Sequence, residues 1–130
     1  MAELTVNVVS AERSLWSGEA KSVVAKTPEG EIGILAGHEP VLALLVEGPL
    51  RIERPDGTKV LVAVHGGFFS VDKNEVQVIA EVAELASDIN IERAKEALAR
   101  AQAESPEPDE SAIRRAETRI TVAGAAASLR

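Results

Sequence analysis

Glycine, histidine and acidic side chains are concentrated in one short stretch, EGEIGILAGHEPVLALL, which runs from Glu29 to Leu45. Closely spaced glycines can present backbone N–H groups to a phosphate, but a Walker-type loop needs Lys and then Ser or Thr after its last glycine. Here Gly37 is followed by His38 and Glu39. The glycines also separate short apolar runs, where chain reversal at positive φ is the commoner need. We therefore favour β-sheet turns over a phosphate-binding loop.

The two histidines, His38 and His65, are the side chains best suited to acid–base chemistry near neutral pH. Each stands beside a glycine, so the simplest interpretation is a polar residue in a turn. Neither has a nearby serine or carboxylate spaced as in a nucleophile pair, no spacing resembles a metal site, and cysteine is absent. The sequence therefore predicts no catalytic residue and no metal site, which disfavours a small β-sandwich enzyme and favours a binding or coupling protein.

Composition indicates a small aliphatic fold in a chain of 130 residues. Because Trp16, Phe68 and Phe69 are the only aromatic residues, the core must be built from Val, Leu, Ile and Ala. No apolar run approaches the roughly 18 residues that cross a bilayer, and the first residues lack a signal-peptide pattern. We therefore expect a cytosolic protein without direct membrane insertion. The net charge of −7 lies within residues 1–90, and residues 91–130 are balanced, so neither half is net basic, which argues against nucleic acid as a partner.

Residues 1–85 contain short apolar runs rich in β-branched side chains, which are typical of strands. Turn signals separate these runs, among them Pro55-Asp56-Gly57 and Asp72-Lys73-Asn74. We expect each of these two signals to close a β-hairpin. Strands at intervals of about ten residues, with no helical pattern between them, predict an antiparallel sandwich or barrel.

Residues 86–130 change to a helical period. Asn90, with Asp88 as the alternative, is expected to cap a first helix, and Asp109 or Ser111 a second. The apolar positions of the two helices are Ile91, Ala94, Leu98 and Ala101, then Ile113, Ala116, Ile120 and Ala123. A short connection between two helices predicts an antiparallel helical hairpin.

The connection between the helices, Ser105-Pro106-Glu107-Pro108, should end the first one, because proline cannot continue a helical hydrogen-bond ladder. Burial of a methylene contributes about 0.8 kcal/mol and burial of a leucine about 2 kcal/mol. A hairpin whose seam is mostly alanine therefore gains little from docking. We expect it to be loosely held and able to change position when a ligand or partner binds.

Four segments of the chain resemble the epsilon subunits of F-type ATP synthases, in the right order and over essentially the whole length. They are VVSAERSLWSGEA, TPEGEIGILAGHEPVLALL, HGGFFSVDKNEVQVIAE and DINIERAKEALARA. The resemblance implies an N-terminal antiparallel β-sandwich of about ten strands in residues 1–85 and a C-terminal antiparallel helical hairpin in residues 86–130. It also implies a non-catalytic rotor subunit of the central stalk, which couples proton translocation to ATP synthesis and restrains ATP hydrolysis.

The same resemblance implies the partners. In this family the sandwich contacts the gamma subunit and the c-ring, and the extended hairpin contacts the alpha/beta catalytic head. The complex would place the chain peripherally on the cytoplasmic face of a bacterial plasma membrane. The expected c-ring contacts are Glu29, Gly30, Glu31 and His38, in a loop at one end of the sandwich, although His38 could simply stabilise a turn. The expected head contacts are Arg114, Arg115 and Arg119, which could equally do no more than solvate a helix.

Some members of this family bind ATP through Ile or Leu, Asp, two variable residues, Arg and Ala. The corresponding segment here runs from Ile89 to Ala94, with Arg93 in place, and Glu84 and Arg100 match flanking positions. Asn90 replaces the aspartate, and an amide lacks the charge that strengthens such hydrogen bonds. We therefore expect ATP binding to be weak or absent, with no required cofactor. The alternative function, a free-standing nucleotide-sensing module, would need the complete motif.

Overall fold

A computed structural model of the chain describes residues 3–104 and 107–128. These residues form ten β-strands, a 3₁₀ turn at Ala86–Asp88 and two α-helices. The strands are β1 Leu4–Ser10, β2 Ser14–Ala20, β3 Ser22–Thr27, β4 Gly30–Leu35, β5 Val41–Leu45, β6 Gly48–Glu53, β7 Lys59–Val64, β8 Gly67–Asp72, β9 Glu75–Ala80 and β10 Ala83–Leu85. The helices are α1 Ile91–Gln102 and α2 Glu110–Ser128. The predicted β-sandwich with a C-terminal helical hairpin is confirmed.

The strands form two five-stranded sheets. Sheet I has the order β2-β1-β9-β8-β5, and sheet II has the order β10-β7-β6-β3-β4. Neighbouring strands are antiparallel except β1 and β9, which are parallel. Alternate residues of β1, β6 and β9 are buried, as expected for strands with one face on a core and the other outside it. The core therefore lies between the inner faces of the two sheets.

That core is aliphatic apart from Phe69. The largest fully buried side chains come from both sheets and include Leu4, Ile34, Leu50, Ile52 and Phe69. Trp16 packs against the edge of the core and is only partly buried. The scarcity of aromatic residues thus has the predicted consequence.

Both predicted hairpins are present. In the turn between β6 and β7, Asp56 Oδ1 accepts a hydrogen bond from the backbone N–H of Thr58 at 3.0 Å, and Gly57 has a φ of +89°. Lys73 and Asn74 connect β8 to β9 with φ values of 50° and 65°. Two consecutive positive φ values are typical of the hairpin turns whose twist matches that of the flanking strands.

The cap of each helix is one of the two predicted candidates. Asn90 Oδ1 accepts a hydrogen bond from the backbone N–H of Arg93 at 3.1 Å, so Asn90 rather than Asp88 caps α1. Asp109 Oδ1 accepts one from the backbone N–H of Ala112 at 3.1 Å. Helix α1 ends at Gln102, whereas Ser105 and Pro106 of the predicted stop signal lie outside the described residues.

The helical hairpin packs on the outer face of sheet II, where α2 contacts β7, β6 and the 3₁₀ turn. Val122 of α2 is buried together with Leu61 and Ala63 of β7. The interior of the hairpin is poor in large side chains, and its buried alanines are Ala94, Ala101 and Ala116. Burial of one Leu, one Val and one Ala contributes on the order of 4 kcal/mol, before conformational entropy opposes it. Weak docking of the hairpin stays a prediction, which the small size of this apolar contact supports.

Candidate functional site

A pocket of about 300 Å³ lies where β10, the 3₁₀ turn and both helices meet. All four residues predicted for nucleotide binding line it, namely Glu84, Asn90, Arg93 and Arg100. Arg93 and Arg100 are two helical turns apart on α1, so they lie on the same side of the helix. Helix α2 adds Arg119, which the sequence motif does not contain. Residues distant in the sequence therefore meet in one pocket only because the hairpin is folded onto the sandwich.

The lining of this pocket has a cationic surplus. Arg119 Nε donates a hydrogen bond to Glu84 Oε1 at 2.5 Å, and Asp88 is paired with Arg13 at 3.8 Å. Arg93 and Arg100 form no ion pair with any other residue in the described parts of the chain. Two unpaired guanidinium groups on one side of a concave surface suit a phosphate or carboxylate ligand.

The role of Asn90 in this pocket is limited by its role in the helix. Its side-chain oxygen caps α1, so the amide N–H groups remain as its donors toward a ligand. An aspartate at this position would cap equally well and would offer a charged acceptor in addition. Asn90 therefore offers a ligand no charged acceptor, which is the reason for expecting weak ATP binding.

A buried histidine adjoins the pocket. The His65 side chain is 2% exposed, its Nδ1 lies 2.6 Å from Glu47 Oε2, and its Nε2 lies 2.9 Å from Glu84 Oε1. The same Glu84 oxygen accepts the hydrogen bond from Arg119. Glu47, His65, Glu84 and Arg119, hereafter the His65 cluster, therefore link the end of sheet II to helix α2.

Glu84 is the central acceptor of this cluster. Its pKa is lowered from 4.5 to about 2, chiefly by the hydrogen bond from His65 and then by the hydrogen bond and charge of Arg119, while partial burial acts in the opposite direction. The carboxylate is therefore ionised at neutral pH, where it accepts from a donor on the sandwich and from a donor on the hairpin.

The prediction that His65 is a polar turn residue is incomplete. His65 does connect β7 to β8, but it is buried between two carboxylates that are 18 and 19 residues away in the sequence. The sequence feature that could have indicated a tight chain return here is the pair of glycines that follows His65. Gly67 has a φ of +139°, and a Cβ there would lie 2.3 Å from the carbonyl oxygen of Ile79, so only glycine fits. This tight return of the chain fixes the position of His65.

The four residues predicted for c-ring contact follow the edge of sheet II. Glu29 lies in the turn before β4, Gly30 and Glu31 begin β4, and His38 lies in the loop beyond the end of the strand. The expectation of one loop at one end of the sandwich is wrong, because Gly30–Leu35 form a six-residue strand, which spans about 20 Å. Strand β4 is an edge strand, so the four residues border one side of the sandwich.

The three arginines predicted for head contact face the sandwich when the hairpin is docked. Arg119 is held by Glu84. Arg114 and Arg115 line a second pocket, of about 370 Å³, together with Glu47 and His65. For Arg119, the alternative of merely solvating a helix is therefore excluded in this arrangement.

Sheet I carries an exposed apolar surface, hereafter the sheet I face, formed by Leu42, Leu44, Phe68 and Ile79. These side chains are 74%, 54%, 51% and 56% exposed. Leu44 is paired across the strands with Phe68, and Phe68 with Ile79, so three of them form a continuous row over β5, β8 and β9. Contiguous apolar side chains on the outside of a sheet mark interaction surfaces more often than scattered ones do.

The described ranges, 3–104 and 107–128, show neither a metal cluster nor a membrane-spanning helix. Those residues include no group of three or more His, Asp or Glu side chains arranged to hold a metal ion. None of the helices found there has the length and apolarity needed to cross a membrane.

Comparison with known proteins identifies the family. Residues 3–86 match the family described as ATP synthase, Delta/Epsilon chain, beta-sandwich domain. The chain belongs to the ATP synthase delta/epsilon family. Relatives named ATP synthase epsilon chain include that of Streptomyces avermitilis, which is 48% identical over 124 residues, covering 95% of this chain and 98% of the relative. That of Rhodococcus opacus is 55% identical over 100 residues, covering 76% of this chain and 82% of the relative.

Solved structures extend the delta/epsilon likeness beyond the sandwich to the helices. A chain in the cryo-EM structure of Euglena gracilis mitochondrial ATP synthase, OSCP/F1/c-ring in rotational state 1, matches with a TM-score of 0.74 and 28% identity, covering 100% of this chain and 83% of that one. A chain of the Tetrahymena thermophila central stalk/cring structure matches with a TM-score of 0.59 at 14% identity and shares the fold alone.

Proposed function

We propose that the chain is the epsilon subunit of an F-type ATP synthase, a non-catalytic rotor part that couples proton flow through the c-ring to ATP synthesis. The observation that carries the proposal is the 48% identity to an ATP synthase epsilon chain over 98% of that protein's length. The sandwich with its folded hairpin and the exposed sheet I face support the assignment. As part of that complex the chain would lie on the cytoplasmic face of a bacterial plasma membrane.

The gamma subunit is the proposed partner of the sheet I face. The hairpin covers part of the outer face of sheet II, whereas the row of Leu44, Phe68 and Ile79 is left exposed. Apolar anchors at the centre of an interface contribute most of its binding free energy. A rotor subunit that must transmit torque needs such a contact with the shaft.

Co-purification tests this contact and the rotor assignment together. A tagged full-length chain should capture gamma and c-ring subunits from its own membranes, and the double variant Leu44→Ser/Phe68→Ser should lose that capture. Both side chains are about half exposed, so the isolated variant should still fold. The matched control Arg51→Ser, on the outer face of sheet II, should capture as the unmodified chain does. Failure of the unmodified chain to capture either partner would refute the rotor assignment.

The c-ring contact is proposed for the β4 edge. Glu31 is exposed and His38 partly exposed, and they lie at the two ends of this edge with Glu29 and Gly30 beside the first. Charge reversal, Glu31→Lys, should weaken c-ring capture while gamma capture is unchanged, because β4 belongs to sheet II and the gamma surface to sheet I. Equal loss of both partners would contradict separate surfaces.

The hairpin is proposed to restrain ATP hydrolysis by leaving the sandwich and contacting the alpha/beta head through Arg114, Arg115 and Arg119. Docked and extended hairpins would then exclude each other, because Arg119 cannot bind Glu84 and an acidic surface of the head at the same time. Truncation after Ser87 removes the hairpin and leaves all ten strands. ATPase activity of the complete enzyme should rise with the truncated chain, and unchanged activity would remove the inhibitory role.

ATP is proposed to bind the pocket weakly or not at all. A hydrogen bond to a charged partner is stronger than a neutral one by about 1 kcal/mol, which is roughly five-fold in affinity. Asn90→Asp should therefore increase ATP affinity by about that factor in calorimetric titration of the full chain. Asp88→Asn, which introduces no charged acceptor, is the control and should not produce this increase. Submicromolar affinity of the unmodified chain would contradict the expectation.

The second candidate function is a free-standing nucleotide-sensing module. The pocket with two unpaired arginines is the observation in its favour. It would require tight nucleotide binding without any membrane partner. The same two measurements, capture from membranes and calorimetry, therefore separate it from the rotor assignment.

A further inference from the structure

The hydrogen-bond geometry around His65 requires a defined number of protons. Both ring nitrogens lie within 2.9 Å of a carboxylate oxygen. A neutral imidazole has one N–H donor and one acceptor nitrogen, and an ionised carboxylate can only accept. The two contacts are satisfied together only when both ring nitrogens carry hydrogen, or when one of the carboxyl groups is protonated.

Glu84 is the less suitable of the two carboxyl groups to hold that proton. Its contacting oxygen already accepts from Arg119, and its pKa is lowered to about 2 by His65 and Arg119. With the imidazolium form, the cluster contains two cations, His65 and Arg119, and two anions, Glu47 and Glu84. The remaining alternative places the proton on Glu47 and leaves a neutral ring, and it is disfavoured because an imidazole is intrinsically more basic than a carboxylate.

The charged side chains that surround His65 come from every element packed against it. The β5–β6 connection contributes Glu47, the β9–β10 connection Glu81, β10 Glu84, and α2 Arg114, Arg115 and Arg119. The arginines of α2 oppose a positive charge on the ring, but the two carboxylates in direct contact with the ring are closer to it. The direct contacts therefore decide which form the docked hairpin favours.

We propose that His65 is held as an imidazolium and acts as a proton-dependent latch, which keeps Glu84 turned toward Arg119 and so holds the helical hairpin on the sandwich. This inference goes beyond the rotor function and does not depend on ATP binding. In this proposal His65, a buried residue of the sandwich, controls the position of α2 by acting through Glu84.

Loss of the proton would act on Glu84 rather than on Glu47. The ring would keep one N–H group, which can donate to only one of the two carboxylates. The contact of Nδ1 with Glu47 is shorter than that of Nε2 with Glu84, at 2.6 Å against 2.9 Å, so we expect the hydrogen to stay on Nδ1. Glu84 also accepts a hydrogen bond from Arg119, so it keeps one donor when the hydrogen bond from His65 is lost. The lone pair of the deprotonated Nε2 would then face the Glu84 carboxylate and displace it from the position in which it receives Arg119. Docking should therefore weaken when the ring loses this proton.

The protonation state can be read directly on the unmodified full-length chain. Nitrogen-15 NMR of the imidazole rings reports hydrogen on each ring nitrogen, and His65 and His38 are the only histidines in the sequence. We expect hydrogen on both Nδ1 and Nε2 of His65 at neutral pH. His38, whose Nδ1 faces a backbone carbonyl oxygen, is the internal reference for a histidine without carboxylate partners. A His65 ring with a single hydrogen at neutral pH would overturn the proposal.

Hairpin docking can be followed over the same pH range. The chain has no cysteine, so Glu96→Cys on α1 and Arg51→Cys on β6, both exposed, provide a spin-label pair in the full chain. The ratio of docked to undocked hairpin should fall about fivefold when His65 loses its proton at raised pH, because the latch acts only through the hydrogen bond between Glu84 and Arg119. A constant ratio over that range would overturn the latch.

Matched variants separate a proton-dependent latch from a merely structural role. His65→Gln should remove the pH-dependent step, and His38→Gln should leave it unchanged. Glu47→Gln retains an acceptor for Nδ1 but removes one negative charge, so the step should move to lower pH. Should His65→Gln fail to fold, the Glu47→Gln shift and the NMR result still decide. Persistence of the step in folded His65→Gln, or an unmoved step in Glu47→Gln, would contradict the proposal.

Discussion

The ion pair between Glu84 and Arg119 makes a quantitative prediction about hairpin docking. The pKa of Glu84 falls from 4.5 to about 2, and a tenfold change in an acid constant corresponds to about 1.4 kcal/mol. The His65 hydrogen bond is the largest single cause, so Arg119 accounts for only part of the effect. The two side chains are 29% and 27% exposed, and solvent screening reduces the contribution further. About 1 kcal/mol remains for the pair.

A double-mutant cycle on the spin-labelled chain measures this coupling. Glu84→Gln and Arg119→Gln should each lower the ratio of docked to undocked hairpin, and together they should cost less than the sum of the two by about 1 kcal/mol. Arg114→Gln makes the same chemical change on the same helix, where the guanidinium donates a hydrogen bond to Ser111 Oγ at 3.3 Å. It should show no coupling with Glu84. Additive effects of Glu84→Gln and Arg119→Gln would refute the reasoning.

The lowered pKa of Glu84 also fixes the direction of an acid effect. His65 stays beside Glu84 when the hairpin leaves, so undocking removes only the part of the pKa lowering that Arg119 causes. A carboxyl group whose pKa is lower in the docked than in the undocked form stabilises docking at higher pH, and this stabilisation is lost as the pH falls from below 4.5 toward about 2. Docking should therefore weaken between pH 4.5 and 2 in the unmodified chain. In Glu84→Gln that acid step should be absent, so its persistence would show that another group is responsible.

Two further predictions concern turns that position the functional surfaces. Gly67→Ala should destabilise the sandwich by about 3 kcal/mol or more in thermal unfolding, because its Cβ would overlap the carbonyl oxygen of Ile79. The control is Gly33→Ala, which has open space around it and should change stability by less than about 0.5 kcal/mol. Asn74→Gly retains the positive φ but removes the acceptor for the backbone N–H of Gly37. Hydrogen exchange at Gly37 should therefore accelerate, while the melting temperature falls by only a few degrees. An unchanged exchange rate would contradict this role of Asn74.

Local sequence patterns predicted the parts of the fold that depend on local physics. The β6–β7 and β8–β9 hairpins follow from turn residues that favour the required φ values, and the caps at Asn90 and Asp109 follow from short polar side chains before apolar helical patterns. The aliphatic core follows from composition. None of these required knowledge of which strands would become neighbours.

The His65 cluster could not be predicted in that way. Its members come from the β5–β6 connection, the end of β7, β10 and α2, and only the sheet II register, in which Glu84 is paired with Ala63, brings Glu84 to the side on which the hairpin docks. A β-sheet contact between residues far apart in the sequence has no local periodicity to reveal it. The placement of Glu31 and His38 in one loop came from the family resemblance, and the formation of β4 separates them.

The pocket and the His65 cluster share Glu84, and this has a thermodynamic consequence. An anion drawn to Arg93 and Arg100 would lie beside the Glu84 carboxylate and would be repelled by it unless that charge is compensated. The imidazolium of His65 supplies part of the compensation, and the guanidinium of Arg119 adds to it only while the hairpin is docked. Proton binding at His65 and anion binding in the pocket should therefore favour one another, and by reciprocity each should strengthen the other by the same factor. A rise in pH would then weaken both anion binding and the grip on α2, since the same carboxylate serves both.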